Sequence, residues 1–402
     1  MKVKEKISYF KKLRIFCIVA TPRSGSDYFQ SLLDGHPEVL TFNGSVGLYV
    51  GLFPKINFNN ANKQNINLSI TKFINIYHDW LCTKNDNSEG KNKMGKSKNE
   101  FININLNRFK YAMFNYLNLE GFTKKNFSLA VYFAYNIALG LNFKNKKILL
   151  MHPHNLDELV HFSKDFRKSK YIFTIRDQRA AYLSTIYNLA DRYPNRFFNL
   201  RHHYITMYRC LVHSNYGEKL KLKYTCIRLE DLPHKKTLFS ISKFLNIKFK
   251  NSLLVSTFAG KIWNGDSSQK KIYKDKWKKN RTYNNWKEKI KKKDKLILNT
   301  LFFPILKHYN YEKVNVSCLD YLKCFIFIYL PMEFEIKVLK KNILSIISKK
   351  GKIKQLGKFL ENLYFFLRRV LICLKFYLFN LFNVKKINSK YIKIKILDKT
   401  FL

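Results

Sequence analysis

Three short stretches carry the residue types that could do chemistry. In "IFCIVATPRSGSDYFQSLL", Ile15 to Leu33, an apolar run enters a small polar turn, Arg23, Ser24, Gly25 and Ser26, and leaves it in a helix-like pattern. Gly25 lets the backbone pass close to a ligand, and the free amides and dipole of a helix start favour negative charge. Arg23 adds a planar cationic fork suited to phosphate or sulfate oxygens. The turn is not GxxxxGK[ST], so the nucleoside-triphosphate loop of kinases is not met. In "YIFTIRDQRAAYLS", Arg176 ends a strand and Ser184 follows eight residues on, in the next helix, with Arg179 in that helix's first turn. Arginine and hydroxyl could converge on one phosphate. In "MHPHNLDEL", His152 ends a strand and His154 follows in the loop; an imidazole titrates near neutrality and can take a proton from a reacting hydroxyl. Asp27 is less easily placed, because a carboxylate suits a first helical turn yet shares the sign of the anion expected there. Either it caps its own helix amides or it reaches a basic residue such as Arg23.

The elements that must hold these stretches read as alternating strands and helices. Ile15 to Ala20, Lys146 to His152, Lys170 to Arg176 and Tyr224 to Leu232 are short apolar runs, with helix-like stretches after Ser26, over Asn155 to Arg167, and after Arg176. "DGHP", Asp34 to Pro37, closes the first of those helices. This is the pattern of an α/β protein whose parallel sheet is flanked by helices. One domain is expected over residues 1–312. Within it, about 59–107 is dominated by Asn and Lys, and "TKNDNSEGKNKMGKSKNE", Thr83 to Glu100, reads as an exposed, mobile insertion. Residues 313–402 read as a basic, amphipathic helical extension. Its apolar run "FLENLYFFLRRVLICLKFYLFNLF" is interrupted by Arg368, Arg369 and Lys375 and falls short of a spanning helix. A helix at a membrane interface and a helix packed back on the domain remain equal readings.

The 402 residues, 46% of them hydrophobic, can bury a full core, which excludes a disordered tail or mini-protein. A net charge of +48 points to an anionic neighbour, whether nucleotide, membrane surface or nucleic acid. Seven scattered cysteines without CxxC spacing indicate neither a disulfide framework nor a zinc site, and a reduced cytosolic compartment fits them. The apolar run after the basic N-terminus is too short for a signal peptide and leads into the polar turn.

Taken together, the first two stretches resemble the sulfotransferases that use 3′-phosphoadenosine-5′-phosphosulfate (PAPS), in their bacterial branch. "TPRSGS" looks like the family's loop for the 5′-phosphosulfate, and Arg176 with Ser184 like its 3′-phosphate pair. The likeness continues through "IRLEDL", "FLNIKF" and "STFAGKIWNGDSS", covering roughly residues 14 to 290. It implies a P-loop-like parallel sheet flanked by helices, the sulfotransferase fold. It also implies in-line transfer of a sulfuryl group from PAPS to a hydroxyl of a carbohydrate or lipid-linked acceptor, without metal. Arg23 would stabilise the leaving phosphate, with Ser24, Gly25, Ser26 and Asp27 at the 5′ side. His154, 22 residues before Arg176, matches the spacing of the family's catalytic histidine and ranks before His152 as the base. Phe258 falls where the family stacks a side chain near the adenine, and Lys261 near its late basic 3′-phosphate motif. The family's Arg-Lys-Gly is absent there, Leu229 replaces a frequent tyrosine, and Gln178 a frequent proline. The expected protein is cytoplasmic, with the extension touching the inner face of a membrane, and without a nucleic-acid partner. A non-catalytic basic protein docking on anionic membrane or nucleic acid is the alternative from another class. A P-loop kinase is the less favoured third reading, because the sequence lacks that loop's Lys-Ser/Thr pair and a metal-binding aspartate after a strand.

Overall fold

A computed structural model describes residues 3–20, 23–85, 90–154, 156–212, 216–265, 286–311, 315–348 and 352–382. Five parallel strands form one sheet: β1 (Arg14–Ala20), β2 (Val39–Leu40), β3 (Ile148–Met151), β4 (Lys170–Ile175) and β5 (Lys223–Arg228). Their order is β2-β3-β1-β4-β5, so the first strand lies in the middle. Arg14 pairs with Ile148 on one side of it and Phe16 with Lys170 on the other. β1 is covered on both faces, and its alternation divides two cores. Phe16 and Ile18 join Phe29, Leu32, Ile172 and Leu229 on one side; Cys17 and Val19 face Tyr132, Leu149 and Phe173 on the other. Such burial explains why the parallel strands read as continuous apolar runs.

Helix α1 (Val3–Lys11) precedes β1, and α2 (Ser26–Asp34) follows the polar turn. The helix-like stretches fold as expected into α2, α6 (Leu156–Asp165) and α7 (Gln178–Arg192), and the α/β architecture is as expected. The run after Tyr224 leaves the sheet at Arg228, and Leu229–Asp231 turns outward.

The insertion differs from its composition. Residues 63 to 76 form α3 (Lys63–Ile76), which buries Ile66, Ile70, Phe73 and Ile74. It packs by Phe73 on Phe109 of α4 (Leu106–Glu120), beside α5 (Lys124–Ala138). Met94 and Lys91 are also buried, so the described part of "TKNDNSEGKNKMGKSKNE" is pinned to the domain. The Asn and Lys of this segment lower its mean hydropathy, yet the apolar residues sit at i, i+4, i+7 and i+8, which is a helix face.

The extension is helical and packs back on the domain. Beyond α8 (Leu200–Val212), α9 (Lys235–Leu245) and α10 (Lys292–His308) come α11 (Cys318–Ile328), α12 (Glu333–Ser348) and α13 (Lys352–Phe382). Arg369 of α13 is fully buried, bonding both carboxylate oxygens of Glu335 on α12 at 3.0 and 2.8 Å and the carbonyls of Ile328 and Leu330. Glu335 in turn lies 3.2 Å from His203 of α8, whose other nitrogen meets the Tyr182 hydroxyl of α7. The clasp thus reaches from the extension into helices of the sheet domain. Among the described residues no helix is long and apolar enough to cross a membrane.

Candidate functional site

The three chemistry-bearing stretches meet at the carboxyl edge of three adjacent strands. β1 runs into the Arg23 turn, β3 into His152 and His154, and β4 into Arg176. The Ala20 amide donates to the His154 carbonyl at 3.1 Å, tying the β3 exit to the end of β1. Arg176 Nη1 donates to the Arg23 carbonyl at 3.4 Å, tying in the β4 exit. Strands are added to one side of β1 and then to the other, and open parallel sheets hold ligands at the carboxyl ends of the strands at such a switch point. Thr21 and Pro22 of the turn lie outside the described residues.

The turn itself is built on two left-handed residues, Arg23 at φ 50° and Gly25 at φ 77°, with Gly25 as the N-cap of α2. A Cβ on Gly25 would stand 2.3 Å from Leu229 Cδ1, so the turn can close on the sheet only with glycine there. Gly25→Ala is expected to cost about 1–3 kcal/mol by overpacking and left-handed strain, read as a drop in urea midpoint at unchanged slope. Ser24 is buried, with its hydroxyl 2.8 Å from that of Thr174 on β4. It therefore fastens the turn to the sheet. Ser26 is likewise buried in the first turn of α2.

Burial pushes the Arg176 guanidinium below its ordinary pKa; Glu230 counters this and the like charge of Arg23 adds to it. Two cations crowd one locus, and an anion there would relieve both. Ser184 stands two turns into α7, half-buried, and accepts from Asn188 at 3.2 Å. Arg179 is spent on structure. It grips Asp177 at 2.7 and 3.0 Å, donates to Asn299, and lies 4.3 Å from the Trp286 ring.

The histidines divide their roles by burial. His152 is enclosed, while His154 is exposed. Gln30 Nε2 donates to the carbonyls of Phe42 and Gly44, so its Oε1 must be the acceptor facing His152 Nδ1 at 2.8 Å. His152 Nδ1 then carries the hydrogen. Burial first, and the charges of His154 and Lys91 after it, push the His152 pKa well down, so the ring stays neutral and its Nε2 is a bare acceptor. His154 Nδ1, 3.3 Å away, must donate to it. A neutral His154 is left with its lone pair on Nε2, the form a general base needs.

Asp27 takes neither of its expected positions. Its carboxylate lies 4.0 Å from His152 Nδ1 and borders the space over Gly44, where Lys91 Nζ and Trp80 also stand. Lys91 falls in the segment that reads as a solvated loop. It is buried, 4.2 Å from the Phe258 ring, and its carbonyl accepts from Thr83. No motif in the sequence marks it. Lys91→Met should let the His152 ring protonate more readily, moving the acid limb of a turnover profile, and the histidine signals in an NMR titration, to higher pH. An unmoved titration would dissociate Lys91 from the pair.

Two of the expected ligand residues are engaged within the chain. Phe258, expected beside an adenine, is fully buried, with Trp263 on it edge-to-face at 5.0 Å and Lys91 over its ring. It has no open face for a base. Lys261, expected near a phosphate, is paired with Glu100 at 2.6 Å. Both follow from the insertion, whose Lys91 and Glu100 close over the β6 (Thr257–Phe258) and β7 (Lys261–Ile262) hairpin. Glu230 and Asp231 hold the strand end: Glu230 accepts from the Asp177 amide, and Asp231 chelates Arg228. A cavity of about 400 Å³ lined by Lys12, Arg14, Lys146, Lys147 and Asn246 lies at the other edge of the sheet. Its cations are engaged, since Lys146 donates to two carbonyls, Lys147 pairs with Glu38 and Arg14 donates to Asn246.

No protein-family model matches the chain, and no curated protein does. Among solved structures it is similar to the sulfotransferase domain from the curacin biosynthetic pathway, with 15% identity and a TM-score of 0.39, covering 75% of this chain and 99% of that one. It is also similar to the sulfotransferase domain of the Synechococcus PCC 7002 olefin synthase, with 16% identity and a TM-score of 0.35, covering 62% and 80%. Likeness of this size leaves the activity to be argued from the site.

Proposed function

We propose that the protein is a PAPS-dependent sulfotransferase acting on a hydroxyl of a carbohydrate or lipid-linked acceptor. The observation that carries this reading is the meeting of the Arg23 turn, Arg176 and the His152–His154 pair at one strand edge. The donor set suits the phosphate end of PAPS: a helix N-terminus, a glycine turn and two guanidinium groups. The adenine side lacks support from Phe258, so its contacts come from elsewhere. When bound, PAPS supplies the sulfuryl group and a phosphate leaving group. His154 Nε2 takes the acceptor's proton as the acceptor oxygen bonds to sulfur. Arg23 balances the charge left on the phosphate oxygen when the old S–O bond breaks. His152 and Gln30 hold His154 in the tautomer that can do this.

The test is calorimetry with 3′-phosphoadenosine-5′-phosphate and transfer of labelled sulfate from PAPS to an acceptor panel. Binding that is lost in Arg176→Ala, and transfer that is lost in Arg23→Ala, are expected. A purified, folded chain that does not bind the bisphosphate would sink the reading.

A further inference from the structure

The three C-terminal helices close the fold with one face and leave another uncovered. On α13 the buried side carries Asn362, Arg369, Cys373 and Asn380. The opposite side carries Ile353, Leu360, Leu367, Leu371, Leu378 and Phe382, with exposures of 88, 54, 53, 65, 42 and 79%. Their spacing of four or seven residues keeps them on one stripe along a helix about 45 Å long. Beside it, α11 exposes Leu319, Leu322 and Ile326 at 56, 63 and 60%, and its Phe325 lies 5.7 Å from Tyr377 of α13. Isolated exposed leucines are ordinary, but an aligned apolar stripe over two adjoining helices marks an interaction surface.

The borders decide what covers it. Lys354, Lys358, Arg368 and Lys375 are exposed on α13, and its lone acidic residue is Glu361. The chain beyond it continues with Lys385, Lys386, Lys390, Lys393 and Lys395 in the sequence. A second copy would bring the same cations, and the same +48, against this face. An anionic bilayer brings the opposite charge together with an apolar interior.

We propose that α13 and α11 lie flat on an anionic lipid surface, with the leucine stripe in the headgroup boundary and the Lys and Arg flank on acidic lipids. The cations at Arg368 and Lys375, and the buried clasp at Arg369, keep the helix parallel to the surface. The inference does not depend on the sulfotransferase reading. It places the site on a body anchored at an interface, which would suit a lipid-linked acceptor.

The experiment is flotation of the intact protein with phosphatidylcholine vesicles with and without phosphatidylserine, over a salt series. Binding only to the acidic vesicles, weakening with salt, is expected. The triple variant Leu360→Gln, Leu367→Gln, Leu371→Gln should bind about a hundredfold more weakly with an unchanged melting curve, because these side chains are already exposed. Replacing Lys354, Arg368 and Lys375 by Gln should flatten the salt dependence. Equal binding to neutral vesicles, no binding to either, or binding unaffected by the leucine changes would each overturn the proposal. So would a dimer in sedimentation velocity that the leucine changes dissociate, since the face would then belong to a second copy. Failure of bisphosphate binding in the calorimetry above would leave this result untouched.

Discussion

Replacing His154 by alanine is expected to lower turnover by about two to four orders of magnitude, with affinity for 3′-phosphoadenosine-5′-phosphate nearly unchanged. The size follows from the loss of a positioned base, and the preserved affinity from geometry. His154 follows β3, whereas the groups proposed to hold the phosphate come from the β1 turn and the β4 exit. A companion change separates a base from a merely nearby ring. Gln30→Leu removes the oxygen that fixes the His152 hydrogen on Nδ1, leaving the pair free to adopt the wrong tautomer. Its expected signature is a fall in kcat with KM nearly constant and an altered pH profile. If His154→Ala turns over normally while His152→Ala does not, the roles of the two histidines are reversed. If neither change matters, histidine base catalysis at this edge is wrong.

Arg369→Met is expected to destabilise the fold by about 3–5 kcal/mol. The variant leaves Glu335 buried with one cationic partner fewer and strips donors from the Ile328 and Leu330 carbonyls. Burial alone would raise the Glu335 pKa, but His203 and Arg369 outweigh it and hold the carboxyl at about 2, against an ordinary 4.5. The sign follows directly. A depressed acid contributes its full stability above about pH 4.5 and loses it as pH falls toward 2. Urea midpoints should therefore fall with acid for the parent protein, and less steeply for Glu335→Gln. Equal midpoints for parent and Arg369→Met at neutral pH would mean that the three C-terminal helices melt apart from the sheet domain.

The parts legible in the sequence are those where one residue pattern has one physical solution. Ile15 to Ala20 and Lys170 to Arg176 are apolar on both faces because helices cover both sides of the sheet. Arg23 to Ser26 can turn only as it does because Gly25 must approach Leu229. The parts that are not legible concern partners far apart in the chain. Lys91 becomes a site residue only because the insertion folds over Phe258, which lies more than a hundred residues later. That same contact takes Phe258 away from any ligand and Glu100 takes Lys261. The sequence offers Asp27 only its own helix amides or a nearby basic residue such as Arg23, whereas the groups beside it, His152 and Lys91, arrive from β3 and the insertion. Of the two readings of the extension, the structure shows α13 packed back on the domain through Arg369.

The central position of β1 has a kinetic consequence. Its first partner, β3, begins at Ile148 and its second at Lys170, so neither edge of the earliest strand can be paired until much of the chain has been synthesised. Closing such long-range parallel pairs is slow, because the loop entropy is spent before the contacts form. Until then an apolar strand, Ile15 to Ala20, has two open edges, and the nascent chain is most prone to aggregate at the segment that leads into the Arg23 turn.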